Sequence, residues 1–157
     1  MATILHLADI GKLDCHTADL EDWEFPERYV YFAPGMSDWI SGLEGKLRVP
    51  GRNLTPKEQV EQLLYDFVIG RPMAYDVDRK KLEPHGNHVW ELKTPDVRLF
   101  GWYVVKKCMV IVCGELKRNL TKNPAYKPFI NQVVAFREGL DLDPPKFITG
   151  VTAHDVG

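Results

Sequence analysis

Long apolar runs are missing from this chain: a membrane helix needs about 20 consecutive apolar residues, and the longest run here is Cys108–Cys113. Residues 1–7 have neither a basic leader nor an apolar core of signal-peptide length, so the sequence predicts an untargeted cytoplasmic protein with no membrane partner. Cysteine is scarce. Cys15, Cys108 and Cys113 cannot all pair, and the five-residue spacing of the last two on one predicted strand sends their side chains to opposite faces. Reduced thiols are therefore expected. Cys15-His16 and His85-x-x-His88 contain ligand residue types without the paired spacing of a zinc site. There is no P-loop, dinucleotide-binding glycine motif or nucleophile elbow. Neither a metal nor a cofactor is called for.

A large net charge is missing too. The formal value is -2, with 20 Lys and Arg against 22 Asp and Glu, which taken alone argues against a nucleic-acid partner. The average conceals a polarised chain. Residues 85–137 carry nine basic residues (Lys93, Arg98, Lys106, Lys107, Lys117, Arg118, Lys122, Lys127 and Arg137) against Glu91, Asp96 and Glu115, a net +6. Residues 1–30 carry Asp9, Asp14, Asp19, Glu21, Asp22, Glu24 and Glu27 against Lys12 and Arg28, a net -5. Such a basic segment is either a solvated surface or a phosphate-contacting one whose acidic neighbour limits non-specific adhesion.

A chain of 157 residues fits one domain burying about two thirds of its unfolded surface. Residues 1–27 are acidic and weakly patterned and read as an N-terminal extension with a short strand at Thr3–Leu7. Residues 28–33 alternate as a strand that Pro34-Gly35 ends, and a short helix follows from Ser37, its cap, to Leu43. Thr55-Pro56-Lys57-Glu58 is a capping box. The helix it opens carries a core stripe of Val60, Leu63, Leu64, Phe67 and Val68 and stops at Gly70 and Pro72. Residues 71–87 read as a loop.

Val89–Lys93, Val97–Val105 and Met109–Gly114 are rich in β-branched and aromatic residues and separated by very short turns, so they read as three consecutive antiparallel strands. Asn123 as cap and Pro124 at the first position open a last helix, whose apolar face is Phe129, Ile130, Val133, Val134 and Phe136 and which ends near Gly139. Residues 141–157 read as a loose tail. The class is α+β, with an antiparallel sheet packed against N-terminal helices and a C-terminal helix, in the order β-α-α-β-β-β-α.

That order, the pattern Trp90-Glu91-Leu92-Lys93, Val97-Arg98-Leu99 and Gly114-Glu115-Leu116-Lys117-Arg118, and Pro124 opening a helix together resemble the RelE/HigB-like toxins of type II toxin–antitoxin systems, in particular their phage-associated branch. Phe67–Pro72 and Lys80-Lys81-Leu82 resemble the segment that precedes the sheet in that family, and the resemblance spans residues 28–140. It implies a small RelE-like fold and an endoribonuclease (an mRNA interferase) that cuts messenger RNA at the ribosome without a metal. It also implies a cognate antitoxin of helix-turn-helix type covering the basic face, and it leaves a homodimer open. In these terms Arg98 matches the strand arginine that binds the scissile phosphate, and Lys117 and Arg118 match the basic pair that stabilises transition-state charge. Tyr126 lies about two positions from the catalytic tyrosine, and Glu91 either acts as a base or caps its strand. Lys93, Lys106, Lys107, Lys122 and His88 are the candidate RNA contacts.

Each residue has a structural alternative. Arg98 can pair with Glu91 or Asp96 across the turn, Lys117 and Arg118 can be a solvated loop, and Tyr126 can be a packing residue of the helix start. The competing function is a non-catalytic interaction protein of the same fold, phage- or prophage-derived, binding a protein or nucleic-acid partner. A gyrase-poisoning toxin is a third reading within the family.

Overall fold

Near-continuous apolar runs on Val97–Val105 and Cys108–Leu116 build the centre of the sheet, since both of their faces are covered. The computed structural model describes residues 1–121 and 125–157. In chain order its strands are β1 (Asp14–His16), β2 (Tyr29–Phe32), β3 (Arg79–Lys81), β4 (Trp90–Lys93), β5 (Val97–Val105) and β6 (Cys108–Leu116). Its helices are α1 (Ile4–Asp9), α2 (Met36–Ser41), α3 (Pro56–Val68), α4 (Lys127–Gly139) and α5 (Ala153–Val156). The six strands form one open sheet in the order β1-β2-β6-β5-β4-β3. The sheet is mixed: β2 runs parallel to β6, and every other neighbouring pair is antiparallel.

One face packs under α2 and α3 through Phe32, Ile40, Val60, Leu64, Phe67, Leu99, Tyr103 and Ile111. The other packs under α1 and α4 through Leu7, Phe100, Trp102, Val110, Ile130 and Val133. The capping box forms as expected: the Glu58 amide donates to Thr55 Oγ1 at 3.3 Å and the Thr55 amide donates to Glu58 Oε1 at 3.0 Å. Among the described residues, no helix is long and apolar enough to cross a membrane.

Several expectations are corrected. Thr3–Leu7 belongs to helix α1 rather than a strand, because the Thr3 hydroxyl caps it by accepting from the His6 amide. Residues 1–27 are not outside the core: Leu7 and Leu13 are buried, and β1 extends the sheet by pairing with β2. Helix α2 starts one residue before Ser37, and its cap is Gly35 at φ +90°, a conformation that favours glycine. The stretch 71–87 contains β3. The segment 141–157 is not loose, since Leu142 and Val156 are buried and α5 closes on its own Thr152–Asp155 capping box.

Cys108 and Cys113 lie on the same face, because a β-bulge leaves Val112 unpaired between Phe100↔Cys113 and Gly101↔Ile111 and so resets the alternation. Helix α4 begins at Lys127. The Asn123 cap, Pro124 and Lys122 lie outside the described residues.

Candidate functional site

Period-2 alternation along β4 and β5 places Glu91, Arg98 and Phe100 on the α4 face. Glu91 Oε2 lies 3.8 Å from Arg98 Nε, and the two side chains are 3% and 6% exposed as residues. Arg98 Nη1 donates to the carbonyl of Thr94 and, at 3.1 Å, to that of Val97. Glu91 Oε2 and Arg98 Nε have no hydrogen-bond partner among the described residues, because 3.8 Å is too long for one.

Tyr126, at the start of α4, stands edge-on to Phe100 with ring centroids 5.8 Å apart, and its hydroxyl faces both charged groups. Burial pushes the Glu91 carboxyl up against the opposing field of Arg98. Burial, and then the Glu91 charge, push the Tyr126 phenol up, so it stays protonated at neutral pH and can donate a proton.

Structure thus joins three of the five expected catalytic residues, but as a buried set in which Arg98 is turned inward. Lys117 and Arg118 are exposed on a 3₁₀ turn directly after β6, where the Lys117 amide donates to the Asp96 carbonyl at 2.9 Å. That puts them at the Arg98 end of the sheet, since Leu116 pairs with Val97. Arg118 borders a groove of about 480 Å³ that Leu47, Val49, Pro56 and Leu116 also line.

Among the expected RNA contacts, Lys93 is also at this end but is tied down, its Nζ donating to the Asp76 carbonyl at 3.0 Å. Lys106 and Lys107 are exposed on the β5–β6 hairpin at the opposite end of the sheet. His88 precedes β4 on that same opposite side, stacked on Phe147 at 4.3 Å with Lys81 Nζ 3.1 Å from its Nδ1. The +6 segment therefore does not form one basic face.

A second constellation lies at the hairpin end, and sequence reasoning missed it. Arg28, Arg79, Lys81 and Arg137 are all buried, and none of them forms an ion pair among the described residues. Apart from the Tyr103 hydroxyl, 3.0 Å from Arg79 Nη1, and His88 Nδ1, 3.1 Å from Lys81 Nζ, their partners are backbone oxygens. Arg28 Nε and Arg79 Nη1 both donate to the Gly157 carbonyl, at 3.1 and 2.9 Å. Lys81 Nζ donates to those of Thr149 and Gly150 at 3.1 and 2.9 Å, and Arg137 Nη2 donates to that of Asn87 at 2.7 Å while its guanidinium lies over the Phe147 ring.

Burial pushes Lys81 and Arg137 down. Arg28 is lowered by burial and then by the Arg79 charge. The available signal was Arg79-Lys80-Lys81, whose spacing puts Arg79 and Lys81 on one face of a strand. No group of three or more His, Cys, Asp or Glu residues able to hold a metal ion occurs among the described residues. Neither a family model, nor a curated protein, nor a solved structure matches this chain.

Proposed function

We propose that this chain is an RNA-directed protein of the RelE/HigB-like toxin type, an endoribonuclease acting on messenger RNA and held in check by an antitoxin. The observation that supports the reading is the convergence of Tyr126 with Glu91 and Arg98 of the β4–β5 hairpin, at the end of the sheet that also carries the exposed Lys117–Arg118 pair. In this reading Lys117 and Arg118 take the phosphate. The 2′-oxygen attacks phosphorus and loses its proton to water, the bond from phosphorus to the 5′-oxygen breaks, and Tyr126 donates a proton to the departing oxygen. The products are a 2′,3′-cyclic phosphate and a 5′-hydroxyl. The buried Glu91–Arg98 pair positions the Tyr126 hydroxyl rather than touching RNA.

A non-catalytic interaction protein is the second reading. It is favoured by the burial of Arg98 and by the largely apolar groove beside Arg118, which fits a protein partner.

Induced expression should arrest growth with cleavage of ribosome-bound messages, and Tyr126→Phe should lower cleavage by about 10²–10⁴-fold while the protein stays folded. Replacing Lys117 and Arg118 together by Gln should lower the log–log salt slope of RNA binding by about 1–2, whereas the same change at Lys106 and Lys107 should leave it unchanged. Full expression without growth arrest or cleavage would leave the interaction protein.

A further inference from the structure

We propose that the acidic loop of residues 19–25 in one molecule docks in the basic, apolar groove beside Leu47 of a second copy of this chain. Trp23 and Phe25 are 75% and 73% exposed, two residues apart on one loop. A lone exposed ring is ordinary, but two side by side form an apolar spot that favours a partner over water. Asp19, Glu21, Asp22 and Glu27 flank them in the chain, and all four are exposed. The loop is already held in shape. The Glu24 amide donates to the Glu21 carbonyl at 2.9 Å, the Tyr65 hydroxyl donates to the Glu24 carboxylate, and the Glu27 amide donates to the Val68 carbonyl at 2.7 Å. Little ordering entropy is therefore left to lose on docking.

The groove has the opposite character. Leu47, Val49, Pro56 and Leu116 line its volume of about 480 Å³ together with Lys46 and Arg118. Asp96, which also lines it, is already paired with Arg52 at 3.3 Å. Leu47 is 87% exposed, and Arg48 beside it is exposed as well. Lys46-Leu47-Arg48-Val49 thus alternates base with apolar residue on an open edge. The amides of Leu47, Arg48 and Val49 have no acceptor among the described residues, which leaves three donors for the oxygens of an incoming chain.

Charge matches the two surfaces to each other. Asp19, Glu21, Asp22 and Glu27 on the loop, and Lys46, Arg48, Lys117 and Arg118 at the groove, enter no ion pair among the described residues. Within one molecule they are kept apart. The loop is fastened to Val68 at the last turn of α3, the groove is built on Pro56 at its first, and 13 helical residues span about 20 Å. A second copy supplies the missing partner. Two molecules with their α3 helices reversed would close both contacts in a two-fold dimer, and a contact made only once would propagate head to tail.

The test uses the full chain and reads its mass by sedimentation velocity and light scattering across a concentration series. The mass should rise with concentration, and raising salt from about 0.1 to about 1 M should move the midpoint upward, since screening weakens exposed charge pairs. Glu21→Lys with Asp22→Lys, and separately Lys46→Glu with Arg48→Glu, should each weaken association by about tenfold or more, because like charges then face each other. Mixing these two variants in equal amounts recreates complementary pairs and should restore association. Trp23→Ser and Leu47→Ser, which keep every charge, should weaken it as well. Near-ultraviolet circular dichroism checks that each variant is folded, and if a reversed pair is not, these two single variants decide. A wild type that stays monomeric up to about 1 mM overturns the proposal, as does association that no variant weakens, or a mixture that stays apart. If the monomer instead binds a short RNA and loses it on Lys46→Glu with Arg48→Glu, the groove belongs to nucleic acid and the proposal falls. The readout is mass rather than RNA cleavage, so its failure leaves the nuclease reading standing.

Discussion

Glu91 and Arg98 face each other across the β4–β5 pair, carboxylate to guanidinium at 3.8 Å, with both side chains almost wholly removed from water. Such a pair contributes little when intact, because desolvation offsets attraction, yet removing one partner strands a buried charge.

Arg98→Met and Glu91→Leu should each destabilise the protein by about 3–5 kcal/mol, while the double replacement should come close to the wild type. Urea unfolding of all four proteins closes the cycle. Additive losses in the double variant would mean that the two residues act independently.

The Glu91 carboxyl is raised above its ordinary value of 4.5 by burial. For a carboxyl raised in the folded state, the associated stability is fully present below the unfolded value and is lost as pH rises through the folded one. Wild-type stability relative to Glu91→Gln should therefore fall between pH 4.5 and the raised folded value. Urea midpoints across that window check it, and a rise with pH would contradict the assignment.

His88 is held below 6.5 by burial and then by the Lys81 and Arg137 charges, and His16, against Phe32, is lowered by burial alone. Both should titrate below 6.5 in imidazole NMR spectra. Because the unfolded chain takes these protons first, stability should drop as pH falls from 6.5 toward the folded values. A midpoint at or above 6.5 for either ring would refute this.

Gly101 sits beside the bulge on β6, where an added Cβ would meet the Val110 carbonyl oxygen at 1.9 Å. Neither strand can shift without disturbing both faces of the sheet. Gly101→Ala should cost about 3 kcal/mol, the upper part of the usual range for overpacking. Thermal unfolding of the variant checks it, and an unchanged midpoint would mean that the bulge relaxes freely.

Local chemistry alone determined the Thr55–Glu58 capping box, the apolar stripe of α3 and the span Val97–Val105, because caps, helical periodicity and β-branched runs act between residues close in sequence. Pairing of Arg98 with Glu91 was one of two partners open in the sequence, and packing across β4 and β5 selected it. The tertiary structure alone decided the rest. Strands β1 and β3, of three residues each, exist because an adjacent edge supplies their hydrogen bonds. Val112 became a bulge only against β5, which moved Cys113 to the face of Cys108. Arg28, Arg79 and Lys81 look like ordinary surface cations in the sequence. They are buried because residues distant along the chain, 146–157, fold over them and lend them carbonyl oxygens, and contacts across such separations leave no periodicity for a sequence to show.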